Sequence, residues 1–155
     1  MTPLTPLGPD ELRDAGIPAP WAFGMADRVR FHELDGLNHV NNAMYLSWFE
    51  TLRVHYCSDY GLTQYRPEDP MLILKSVTCE YHAPMFLSDP YIVTARCQSF
   101  RRTSFVKEYA VWSGGGLKTT GTAVIVMTEQ DGTTKWPLPD QIKSVFQARD
   151  GAVAA

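Results

Sequence analysis

The stretch Asp35-Gly36-Leu37-Asn38-His39-Val40-Asn41-Asn42 gathers a carboxylate, an imidazole and several carboxamides among turn-forming residues. Directly after it, Tyr45, Trp48, Phe49, Leu52 and Tyr56 recur at three- and four-residue steps, which predicts a helix beginning around Asn42 and stopping at Gly61. Asp35 therefore stands in a turn beside a helix N-terminus. Unpaired backbone N–H groups there polarise a carbonyl and stabilise its oxyanion. A carboxylate beside them activates water or attacks the carbonyl itself, which suits acyl transfer to water. Read from its surroundings alone, an Asp in this position is most often a cap.

Other chemistries lack their residues. The histidines stand singly at 32, 39, 55 and 82, and Cys57, Cys79 and Cys97 lie far apart, so no zinc site or redox pair is spelled out. No serine elbow, phosphate loop or dinucleotide fingerprint occurs. The expected chemistry is cofactor-free hydrolysis with no metal. A net charge of -3 and a pI near 5.7 give no general attraction to polyanions, so nucleic acid is not an expected partner. A phosphate-bearing ligand needs a local basic cluster, and Arg101-Arg102-Thr103-Ser104 at a predicted hairpin tip supplies two guanidinium groups and two hydroxyls.

The elements that must position these residues follow from pattern. Residues 1–22, rich in proline, read as a lead-in with a short helical possibility at Asp10–Ala15. Arg28–His32 alternates polar and apolar, which predicts a strand ending near Glu33. After the helix come strands at Met71–Tyr81, Tyr91–Gln98, Phe105–Trp112 and Thr119–Thr128, with a hairpin connection through Ser113–Gly116. A short terminal helix is expected over Gln141–Ala148. The domain then spans 23–148, and 149–155 forms a frayed tail. One strand, a long apolar helix and four further strands predict an α+β architecture in which an antiparallel sheet wraps the helix, the order of the hotdog fold.

The segment 28–60 also resembles the 4-hydroxybenzoyl-CoA thioesterase family, whose pattern is a strand, an aspartate, then glycine-histidine-valine-asparagine-asparagine and a tyrosine a few residues on. Tyr81-His82-Ala83-Pro84 with Asp89, and Pro137-Leu138-Pro139, resemble further family signatures. The resemblance implies an acyl-CoA thioesterase with Asp35 as nucleophile or general base and the Asn42 N–H facing the thioester carbonyl. His39 and Asn41 are then supporting pocket residues, and Arg101–Ser104 the coenzyme A contact. Glu33 stands where the family usually has aspartate, and Asn38 where it has glycine.

An acyl-carrier-protein thioester is the alternative substrate, and a homodimer, or a tetramer of paired dimers, is the implied assembly. A hotdog hydratase or dehydratase, or a non-catalytic acyl-thioester binder, are competing functions on the same fold. The unpaired cysteines and the absence of an export signal or apolar span predict a cytoplasmic protein that does not cross a membrane.

Overall fold

The computed structural model describes residues 1–155. Its elements are β1 (Pro6–Leu7), α1 (Pro9–Asp14), β2 (Gly24–Arg28), a 3-10 turn (Phe31–Glu33), α2 (Met44–Asp59), β3 (Met71–Tyr81), β4 (Pro90–Phe100), β5 (Ser104–Ser113), β6 (Gly116–Thr128), α3 (Asp140–Asp150) and β7 (Val153–Ala154). The strands form one sheet in the order β1-β2-β4-β5-β6-β3, with β7 pairing parallel to the end of β4. All other pairings are antiparallel.

The period-2 rule decides which strand residues meet α2. Tyr91, Val93, Ala95 and Cys97 of β4, Phe105, Tyr109 and Val111 of β5, and Ala123, Ile125 and Met127 of β6 join Tyr45, Trp48, Phe49, Leu52 and Tyr56 in one buried cluster. This is the hotdog arrangement predicted from the sequence, with the helix held in the concave face of the sheet. Phe49 stacks on Tyr109 with ring centroids 4.5 Å apart. It also lies against Gly121, where an added Cβ would approach the Phe49 ring to 2.6 Å and the Thr78 carbonyl to 2.7 Å. The absent side chain at 121 is what lets the helix sink onto the sheet.

The opposite face carries a smaller core. Leu7, Leu12, Ile17 and Trp21 of the N-terminal segment cover Ala26, Ile92 and Ala110. The lead-in is thus bound over the sheet, and its helix forms where Asp10–Ala15 predicted one.

Two expectations are corrected. The first strand lies earlier than the alternation at 28–32 suggested. It pairs with β4 only as far as Arg28, opposite Pro90. Beyond that point the Val29 N–H donates to the Asp89 carbonyl at 3.0 Å, and the Arg30 N–H donates to Glu33 Oε1 at 2.7 Å, closing the 3-10 turn. The tail 149–155, expected to fray, instead turns at Gly151, whose φ of 66° is left-handed, and lays Val153 and Ala154 beside Ser99 and Phe100.

Candidate functional site

The chain from Glu33 to Asn41 forms a closed turn. Leu34 bridges Val40, and the Asn41 N–H donates to the Glu33 carbonyl at 2.8 Å. Inside it, the Asp35 N–H donates to the His39 carbonyl at 2.8 Å, and the Asn38 N–H to the Asp35 carbonyl at 3.0 Å. Asn38 adopts a φ of 59°, the left-handed conformation that asparagine tolerates and that a glycine would take freely.

Asp35 is half-buried. Its Oδ1 accepts from the Leu37 N–H at 2.8 Å and, at 3.4 Å, from the His39 N–H. Its Oδ2 has no donor within the chain. A carboxylate pinned through one oxygen with the other free is available to a ligand.

Helix entry follows at once. The Asn41 side-chain oxygen accepts from the Ala43 N–H at 2.9 Å, an Asx-turn bond two residues on that braces the chain just ahead of the helix. The regular helix runs from Met44, two residues later than predicted, because Asn41–Ala43 form a tight turn that leads into it. The Asn42 N–H has no acceptor within the chain. The Asn42 carbonyl is held from β3 by the Tyr81 hydroxyl at 2.8 Å. Burial pushes that hydroxyl up to about 12, with Cys79 adding to the rise, so it remains a donor at neutral pH.

His39 sets its ring edge-on to Phe86 with centroids 5.3 Å apart, and the Val40 N–H donates to the Met85 carbonyl at 2.9 Å. Loop 82–89 therefore lies against the Asp35 turn, and Phe86 and Leu87 add apolar surface about half exposed. A cavity of about 180 Å³ runs between β2 and the first turns of α2, lined by Met25, Glu33, Met44, Trp48 and Leu52 among others. A larger one of about 370 Å³ lies under the N-terminal segment, against Ile17, Ile92 and Trp112, and includes no residue of the Asp35 turn.

The structure brings Asp35, His39, Asn41 and Asn42 together and leaves Arg101, Arg102, Thr103 and Ser104 apart from them. Those four do form the β4–β5 hairpin tip, closed by the Arg101 N–H to the Ser104 carbonyl at 2.8 Å. Both arginines are exposed and make no ion pair. The Asp35 turn sits at the Pro90 end of the 11-residue β4 and the hairpin at its Phe100 end, so the length of a strand of roughly 33 Å at about 3.3 Å per residue separates them along the chain. No group of three or more His, Cys, Asp and Glu side chains is arranged to hold a metal ion.

Pattern reading missed two partners of the turn. Tyr81 holds the Asn42 peptide across 39 residues of sequence, and Glu33 accepts from the Trp48 indole N–H at 2.6 Å. Neither partnership has a local signal, although Tyr81 and Glu33 both fall on the family's motif positions.

Residues 29–146 match the model of the thioesterase-like superfamily, and the chain belongs to that family. Among solved structures it is similar to a thioesterase superfamily protein from Jannaschia sp. CCS1, with 42% identity, a TM-score of 0.96, and coverage of 100% of this chain and 99% of the other. It is also similar to a thioesterase from Thermus thermophilus complexed with coenzyme A and Zn, at 30% identity and TM-score 0.71, covering 83% of this chain and 93% of that one. A 1,4-dihydroxy-2-naphthoyl-CoA thioesterase from Synechocystis shares the fold at 17% identity and TM-score 0.70, covering 79% and 93%. No curated protein matches the chain. No helix is long and apolar enough to cross a membrane.

Proposed function

We propose that this protein hydrolyses an acyl-CoA thioester to a free acid and coenzyme A. The observation that carries the reading is that half-buried Asp35 leaves its Oδ2 without a donor, a few residues ahead of an Asn42 N–H that has no acceptor where the chain enters α2. The thioester carbonyl oxygen takes the Asn42 N–H, which strengthens as negative charge develops on that oxygen. Asp35 either attacks the carbonyl carbon and expels the thiolate, forming an anhydride that water then opens, or removes a proton from the attacking water. His39 and Asn41 act as supports: the first walls the site with Phe86, the second braces the turn that leads into the helix and presents the Asn42 N–H to the carbonyl.

The coenzyme A site requires a second copy. β3 is an edge strand with no partner on its outer side. Its Tyr81 end lies beside the Asp35 turn, while its Met71 end pairs with Thr128, near where Ser104 pairs with Val126. Antiparallel pairing of two β3 edges about a twofold axis carries the 101–104 hairpin of one copy toward the Asp35 turn of the other. Two arginines from that hairpin are suited to the phosphates of coenzyme A. The thermophilic thioesterase complexed with coenzyme A lends support to this ligand class. Three free thiols, Cys57, Cys79 and Cys97, support a cytoplasmic location.

Thiol release from aromatic, short and long acyl-CoA esters, each paired with its N-acetylcysteamine ester that lacks the phosphates, tests the reading. Turnover that prefers the CoA ester is expected. Absence of release across the whole panel would instead point to a binding protein or to enoyl-thioester hydration.

A further inference from the structure

We infer that Glu33 is a positioning residue that sets the separation between the Asp35 carboxylate and the Asn42 N–H, acting through a strut to Trp48. The inference rests on the thioesterase reading of that turn. Glu33 is 2% exposed, an unusual place for a carboxylate. Its two oxygens each hold one donor, and the donors lie on opposite sides of the Asp35 turn. Oε1 accepts from the Arg30 N–H at 2.7 Å, in the chain that leaves β2. Oε2 accepts from Trp48 Nε1 at 2.6 Å, one turn into α2. The backbone carbonyl of the same residue holds the Asn41 N–H at 2.8 Å, closing the turn at its base.

One residue thus ties the strand that feeds the turn to the helix that follows it, and Asp35 and Asn42 lie between those anchors. Trp48 is itself fixed, because its ring stacks on Tyr91 of β4 at 4.1 Å and 18°. The strut therefore references the turn to the sheet as well as to the helix. Glu33 touches neither reacting group. A carboxylate suits the position because each of its two oxygens accepts from its own donor, whereas glutamine has one acceptor oxygen and an NH2 that cannot accept. Both contacts are short, so the geometry is held stiffly.

The experiment measures kcat and KM of Glu33→Gln on the acyl-CoA ester that wild type turns over fastest, and the backbone amide resonances of residues 35–42 in both proteins. We expect kcat to fall about 10- to 100-fold while KM holds within about twofold, as for a misplacement on the order of 1 Å. The amide resonances of 35–42 move. Trp48→Phe, which keeps a six-membered aromatic ring while removing the indole N–H donor together with its five-membered ring, reproduces both effects and serves if Glu33→Gln does not fold. In an Asp35→Asn background Glu33→Gln produces no further loss.

Unchanged kcat with unmoved resonances overturns the inference, as does a loss that persists undiminished in the Asp35→Asn background. If wild type hydrolyses no thioester, the thioesterase reading falls, and the resonances alone decide the geometric role: moved in both variants, the strut stands; unmoved, it does not.

Discussion

Lys107 offers a quantitative test of the packing between α2 and the sheet. It lies on the face of β5 that Phe105, Tyr109 and Val111 fill with apolar groups, it is fully buried, and its Nζ has no hydrogen-bond acceptor. The amine faces the ring of Tyr56. Burial pulls it down from 10.5 to about 7, against the opposing pull of Cys57 and Asp150. Below about pH 7 the folded and unfolded lysines both hold the proton, and the whole cost of a buried charge is present. Between about 7 and 10.5 the unfolded lysine keeps a proton that the folded amine has released, so this residue makes stability rise with pH. At about 1.36 kcal/mol per pH unit the cost is about 4 kcal/mol at pH 7 and about 2 kcal/mol at pH 9.

Lys107→Met keeps the length of the stem and removes the charge. Urea unfolding of variant and wild type, followed by tryptophan fluorescence at pH 7 and pH 9, reads the difference. Taking that difference removes Tyr109, whose raised value acts in the opposite direction in both proteins; Cys57 and Cys97, which Lys107 lowers, rise further in the variant and narrow the gap more at pH 9. The variant is expected to be the more stable by about 4 kcal/mol at pH 7, with the gap narrowing by about 2 kcal/mol at pH 9. A variant less stable than wild type at both pH values would refute the reasoning and mark the ammonium as a stabilising counter-charge for Asp150.

Two further predictions concern the scaffold. Gly121→Ala presses a methyl group into the Phe49 ring and the Thr78 carbonyl and is expected to lower stability by about 1–3 kcal/mol, read from the shift in the urea midpoint. Asp150→Ala strands the Tyr56 and Tyr60 hydroxyls and the Cys97 N–H, all of which donate to that buried carboxylate, the last two at 2.6 and 2.7 Å. It is expected to lose at least about 2 kcal/mol, and hydrogen exchange should show α3 and β7 opening ahead of the rest of the sheet.

The parts of the fold legible in the sequence are those with strong local periods. The five residues spaced along α2 predicted its buried face, and all are in the core. The turn signals at Ser113–Gly116 and Arg101–Ser104 bounded β4, β5 and β6 to within two or three residues. The edges that moved were set by nonlocal partners. β2 stops where Pro90 ends its pairing, and the polar-apolar alternation past Arg28 belongs to a 3-10 turn in which Phe31 is exposed and Glu33 buried.

The tail pairs because Asp150 is anchored from α2 and β4, residues more than fifty positions away, and no local pattern encodes that. In the site, the turn could be read from Asp35 to Asn42. The struts from Glu33 and Tyr81 could not, because the first links residues 15 apart across the turn and the second links residues 39 apart across α2, with no local pattern for either.

Asp35 is the centre of the proposed chemistry, and the most direct measurement is single-turnover release of free thiol by wild type and Asp35→Asn on the same acyl-CoA ester, with both proteins shown to be folded by their thermal transitions. Asparagine preserves the oxygen that accepts from Leu37 and His39 while replacing the free carboxylate oxygen with an amide. A loss of at least about 100-fold is expected, since neither nucleophilic nor base catalysis survives the change. Equal rates in the two proteins would contradict it, leaving Asp35 as a turn residue and moving the chemistry elsewhere.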